Sequence, residues 1–216
     1  MKYFIANWKA NKNFDEVKSW LDGFFKLYKD NKDTIVIICP PFPFITLIKD
    51  KISNFENLKL GSQDLSLFEQ GAYTGEVSAK TLQGLIEYVI IGHSERRKNF
   101  GESNEAIHQK ITLAKKYKIE PIFCIRDQND LQDKEMIKIV AYEPVYAIGT
   151  GNNEPLDKVI QSKEKLNLPS NTVFLYGGSV NENNAKDYLQ SDEIDGFLVG
   201  GASLNPERFY KIISQV

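Results

Sequence analysis

The chain has 216 residues, 42% of them hydrophobic, enough for a sizeable core in one domain or at most two. Its formal net charge is −2, and the run Arg96-Arg97-Lys98 is too short for a nucleic-acid-binding tract. No apolar run reaches the roughly 20 residues of a membrane span, the N-terminal apolar stretch is too short for a signal peptide, and Cys39 and Cys124 both sit in apolar runs, as reduced core residues of a cytoplasmic protein and not as a disulfide or metal framework.

Residues 2–7 read as an apolar strand that runs into Asn7-Trp8-Lys9. A helix follows from about Phe14, with Asn13 as its cap, Glu16 three residues on, and Val17, Leu21, Phe24, Phe25 and Tyr28 on one face. A second strand spans 34–39 and is stopped by Pro40-Pro41. A helix over 44–53 and a short strand over 58–62 come next. Residues 63–79 form a loop with a polar, glycine-bearing centre, and a loop of that length in a compact chain is functional or disordered.

A short helix over 81–85 leads to a strand over 88–91 that ends in Gly92-His93-Ser94-Glu95-Arg96-Arg97. Ser103 opens a further helix, and 120–125 is the fifth strand. Residues 126–135 are polar and too few for a long helix. A sixth strand over 137–142 ends at Glu143-Pro144, where proline cannot continue a ladder. The small apolar segment that follows closes on Gly149-Thr150-Gly151, a stiff start and a permissive end around an apolar tip. Pro155 fits the first turn of the next helix. A seventh strand over 171–176 ends in Gly177-Gly178-Ser179, a helix carries Ala185 and Leu189, an eighth strand over 196–199 ends in Gly200-Gly201, and Asn205-Pro206 caps the last helix.

Eight strands separated mostly by helices, with apolar runs in place of alternation, describe a parallel sheet covered by helices. The count favours an α/β closed (β/α)8 barrel as a single domain over residues 1–216, ahead of an open doubly wound sheet. In such a barrel the strand ends converge on one face. That face would gather Asn7 and Lys9, His93 and Glu95, Glu143, Ser179, and Gly200-Gly201. A carboxylate shielded by an apolar lid suits base chemistry. Two glycine-rich turns after strands seven and eight suit an anion such as phosphate. Each residue alone has an ordinary explanation: Glu-Pro as a turn, Lys9 as a surface lysine, His93 as a core histidine. Arg96 and Arg97 read as structural ion-pair partners, and His108, on the polar side of its helix, as surface.

The stretches Asn7-Trp8-Lys9, Gly92 to Arg97, Ala141 to Gly151, Tyr176 to Val180, and Gly200 to Leu204 resemble, in this order, the motifs of the triosephosphate isomerase family. The resemblance implies a TIM barrel that interconverts dihydroxyacetone phosphate and D-glyceraldehyde 3-phosphate by proton transfer, without metal or organic cofactor. It implies Glu143 as base, His93 as electrophile, Lys9 as the cation that binds substrate and offsets enediolate charge, and Asn7 as orienter and substrate contact. Ser94 and Glu95 support His93 and Lys9, Gly149, Ser179, Gly200 and Gly201 cradle the phosphate, and Leu198 walls the base. The loop around Tyr73, Thr74, Gly75 and Glu76 resembles the arm that docks beside a second subunit's site, which implies a homodimer through residues 70–79. Three departures stand out. The fifth and sixth crossovers are short, Arg126-Asp127 replaces the usual Gly-Glu, and Tyr146 stands where a tryptophan is usual. A catalytically silent phosphate-binding barrel and another phosphosugar isomerase or epimerase are the competing readings.

Overall fold

The computed structural model describes residues 1–131, 136–144, 146 and 153–216. Its strands are β1 (Lys2–Asn7), β2 (Thr34–Cys39), β3 (Leu58–Ser62), β4 (Tyr88–Ile91), β5 (Glu120–Ile125), β6 (Ile139–Tyr142), β7 (Val173–Tyr176) and β8 (Gly196–Val199). They form a closed barrel in chain order, parallel throughout. β1 pairs with β8 from Tyr3↔Gly196 to Ala6↔Val199, which excludes the open sheet and leaves no strand edge exposed.

The continuous apolar runs follow from burial on both faces. Successive strand residues alternate between two cores. Ile5, Ile37, Cys39, Ile90, Ile122, Leu175 and Leu198 pack together inside the barrel. Their neighbours Phe4, Val36, Ile38, Phe174, Phe197 and Val199 point outward, against the helices. Filling both faces is why period two vanishes from the sequence.

Among the described residues the outer layer comprises α1 (Phe14–Phe25), α2 (Ile45–Ile52), α3 (Ala79–Leu82), α4 (Ser94–Phe100), α5 (Asn104–Lys116), α6 (Leu156–Leu166), α7 (Ala185–Leu189) and α8 (Pro206–Ile213). The capping box on α1 is present, with Asn13 and Glu16 bonding each other's backbone. The helix buries Val17, Leu21 and Phe24 as its spacing predicts, and also Trp20. Trp20 stacks on Phe24 at 4.7 Å and meets Trp8 edge-on at 4.8 Å, and Phe209 of α8 joins this cluster.

Two boundaries and one whole helix differ from expectation for local reasons. The short helix begins at Ala79, two residues early, because the Ser78 side chain caps it. α4 has no apolar period to announce it; it is started by His93, which caps with its own ring, and stopped by Gly101 at φ 65°. Pro155 lies one residue before the helix, which starts at Leu156. In the short fifth crossover the described residues form only a 3-10 turn, Gln128–Asp130.

The seam between β1 and β8 requires Gly196. Its φ is +144°, and a Cβ there would run into the Tyr3 carbonyl. Gly196→Ala should therefore lower unfolding free energy by roughly 3 kcal/mol or abolish folding. Urea-induced unfolding followed by circular dichroism checks this, and an unchanged midpoint would contradict it.

Candidate active site

A cavity of about 270 Å³ opens at the C-terminal ends of the strands. Asn7 and Lys9 reach it from the first loop, His93 from the fourth, Glu143 from the sixth, Ser179 from the seventh, and Leu198, Gly200 and Gly201 from the eighth strand and its loop. The barrel thus brings together side chains separated by most of the chain.

Glu143 is the deepest charge, with 1% of its surface exposed. Its backbone N–H continues the ladder to Ile125. One carboxylate oxygen accepts the Ser94 N–H at 2.8 Å, and the other lies 2.9 Å from His93 Nε2. Gly177 makes this placement possible, because a Cβ there would sit 3.0 Å from Glu143 Cγ.

His93 serves two purposes. Its Nδ1 accepts the Glu95 N–H at 3.2 Å, which caps α4. An accepting Nδ1 leaves the ring proton on Nε2, the atom that faces Glu143 and the cavity. The capping bond therefore fixes the tautomer.

Lys9 sits at φ +53°, a turn conformation that aims its side chain into the cavity. Asn7 Oδ1 accepts the Lys9 N–H at 3.2 Å, and Gln63 Nε2 donates to the Lys9 carbonyl at 2.9 Å. The ammonium meets Glu95 at 2.5 Å, so α4 orients both His93 and Lys9. Gln63 is a positioning residue that sequence reading assigned only to a loop; its clamp on Lys9 and Cys39 carbonyls depends on tertiary placement.

The glycine-rich eighth loop becomes a 3-10 turn, Gly201–Leu204, tied down from the first crossover. Lys12 donates to the Leu204 carbonyl at 2.7 Å and Trp20 Nε1 to the Ser203 carbonyl at 3.0 Å. Ser179 lines the cavity, and its carbonyl accepts from Asn184 at 2.9 Å. Gly149 lies outside the described residues, as does most of the stretch 145–151. Tyr73, Thr74, Gly75 and Glu76 are exposed at the tip of the third loop and do not line this cavity, and Tyr73 stacks on Phe68 at 3.7 Å.

The sequence matches the family profile described as Triosephosphate isomerase over residues 2–216. The chain belongs to the triosephosphate isomerase family. It is thus an isomerase on a TIM barrel. Relatives named Triosephosphate isomerase come from Mesomycoplasma hyopneumoniae strain 232 (38% identical over 239 positions, 98% of each chain), Aquifex aeolicus (39% over 243, 98% of each chain) and Trichodesmium erythraeum (39% over 239, 99% of this chain and 98% of the relative). These aligned lengths exceed the 216 residues here, in keeping with trimmed crossovers.

The departures from the triosephosphate isomerase pattern acquire contacts of their own. Arg126 makes a bidentate bond to Asp130, at 2.8 and 2.7 Å, and Asp130 also faces Arg97 of α4 at 3.3 Å. Burial pushes the Asp130 carboxyl up, but the bonds from Arg126 and the charge of Arg97 outweigh it and hold the group below the usual carboxylate range. The shortened fifth loop is thereby bolted to the helix that carries Ser94. Arg96 reaches Asp64 at 2.9 Å and Glu102 at 3.2 Å, so both arginines are structural, as read. His108 is exposed. Tyr146 donates to the buried Glu154, which lifts its hydroxyl to about 12. The Glu154 N–H donates to Tyr176 at 2.8 Å.

The Ser94 N–H offers a clean test of how the carboxylate is held. Ser94 is the first residue of α4, and His93 at φ −51°, ψ 138° has the backbone that precedes proline without strain. Ser94→Pro should lower the melting temperature by a few degrees, because the buried carboxylate loses a partner, and lower turnover roughly ten-fold by letting the base rest out of place. Thermal melts and steady-state rates check both halves, and a fully active variant would remove this bond from the argument.

Proposed function

We propose that the chain interconverts dihydroxyacetone phosphate and D-glyceraldehyde 3-phosphate through an enediolate, with Glu143 as base. The observation that carries this reading is the buried Glu143 carboxylate beside His93 Nε2, in one cavity with Lys9 and two glycine-rich turns. Glu143 would exchange its Ser94 bond for the substrate, take a proton from C1 and return it to C2. The His93 Nε2–H would donate to the carbonyl oxygen, and Lys9 would offset the enediolate's charge. Asn7 would hold Lys9 and touch the substrate oxygen. Ser94 and Glu95 would set the resting geometry of base, ring and ammonium. Ser179, Gly149, Gly200 and Gly201 would receive the phosphate, and Leu198 would keep water from the base. The mechanism calls on no metal or cofactor.

The same reading extends to the setting. The barrel would act as one domain over 1–216, in the cytoplasm, where the buried free thiols of Cys39 and Cys124 stay reduced. Among the described residues no helix is long and apolar enough to cross a membrane. The exposed tip at Tyr73 to Glu76 would dock against a second copy beside its site, giving a homodimer.

Incubation with dihydroxyacetone phosphate in deuterated water, followed by NMR, tests the chemistry. Glyceraldehyde 3-phosphate labelled beside its carbonyl is the expected product. Glu143→Gln should cut turnover by about a thousand-fold or more while binding of phosphoglycolate persists. Saturable binding with neither conversion nor exchange in the parent chain would favour a silent phosphate-binding barrel. For the assembly, Thr74→Arg should shift the species seen by analytical ultracentrifugation from dimer to monomer; a parent chain that sediments as a monomer would refute the dimer.

A further inference from the structure

We propose that Arg208 is a substrate-binding residue, a second cation that Glu182 holds at the phosphate end of the cavity. The proposal rests on the triose phosphate reading of the site. Of the side chains lining the cavity, Lys9 and Arg208 are the cations and Glu143 is the carboxylate. A phosphate dianion that enters beside Glu143 is repelled by it, and the Lys9 ammonium is already engaged by Glu95 at 2.5 Å. A further cation would offset that repulsion.

Arg208 is placed and prepared for this. It sits in the first turn of α8, just after the 3-10 turn that begins at Gly201, and the Asn205 side chain caps its N–H at 3.0 Å. Glu182, its partner, lies three residues beyond Ser179, and its carbonyl is tied to Gln215 at 2.7 Å. Glu182 thus stands on the seventh loop and Arg208 on the helix that follows the eighth, beside where the phosphate would bind. Glu182 accepts only from Nε, at 2.8 and 3.0 Å. Among the described residues Nη1 and Nη2 have no protein partner. These two groups supply planar N–H donors of the kind that grip phosphate oxygens, on a side chain still 47% exposed and so within reach of an incoming ligand. Glu182 thus stiffens the guanidinium without occupying its fork.

The test compares the parent chain, Arg208→Gln and Glu182→Gln in steady-state kinetics, with inorganic phosphate as competitive inhibitor. Arg208→Gln should raise both KM and the phosphate inhibition constant about five-fold, change kcat by less than about two-fold, and flatten the salt dependence of kcat/KM. Glu182→Gln should move the phosphate constant the other way, because the amide oxygen still accepts from Nε while the opposing charge is gone. Two variants that shift together, or that shift only the melting temperature, would reduce the pair to a structural bridge and overturn the proposal. A parent chain that turns over and is inhibited by phosphate, with Arg208→Gln unchanged, would overturn this role and leave the isomerase reading standing. A parent chain that does neither would remove both.

Discussion

The closure of β1 against β8 is the contact on which the rest of the molecule depends. Only a closed ring brings Asn7 and Lys9, at the start of the chain, beside Gly200 and Gly201 near its end. The seam runs through Gly196, where two backbones meet with no room for a side chain. Its outer face is backed by Trp8, Trp20, Phe24 and Phe209, so the first and last helices are packed as one unit. Lys12 and Trp20 then reach from the first crossover to the carbonyls of the eighth loop. Closing the barrel and shaping the glycine-rich end of the cavity are thus tied to the same contacts.

Within that ring, α4 organises the charges. A seven-residue helix with no apolar stripe would be marginal alone. It is held by ion pairs, Arg96 to Asp64 and Glu102, and the buried pair of Arg97 and Asp130. At its start it presents the His93 ring and the Ser94 N–H to Glu143, and the Glu95 carboxylate to Lys9. Removing outer helix from the fifth crossover forfeits buried apolar area. The Arg126–Asp130–Arg97 joint compensates by fastening what remains of that loop to α4.

Much of this was legible in the sequence, for identifiable reasons. Apolar strands buried on both faces leave unmistakable runs, so all eight are readable, and β6 and β7 start only two residues later than the runs suggest. Motif spacing located Lys9, His93 and Glu143, which the structure brings to one cavity. What sequence could not supply were pairings fixed only by tertiary placement. Glu182 and Arg208 are 26 residues apart and each reads as ordinary surface charge. Gln63 gains its meaning from two distant carbonyls, one in the first loop and one at the end of β2. α4 escaped notice because an imidazole, an unusual cap, starts it. Trp20 widens the buried face of α1 beyond its main stripe, because the helix also meets α8 and the eighth loop.

The chain has two tryptophans, Trp8 and Trp20, and they touch one another in the core. Intrinsic tryptophan emission from this protein is therefore an optical report on the barrel seam and, through the bond from Trp20 to Ser203, on the turn that carries Gly201. Ligand-induced changes in that emission would speak of the eighth loop, where Gly200 and Gly201 line the cavity.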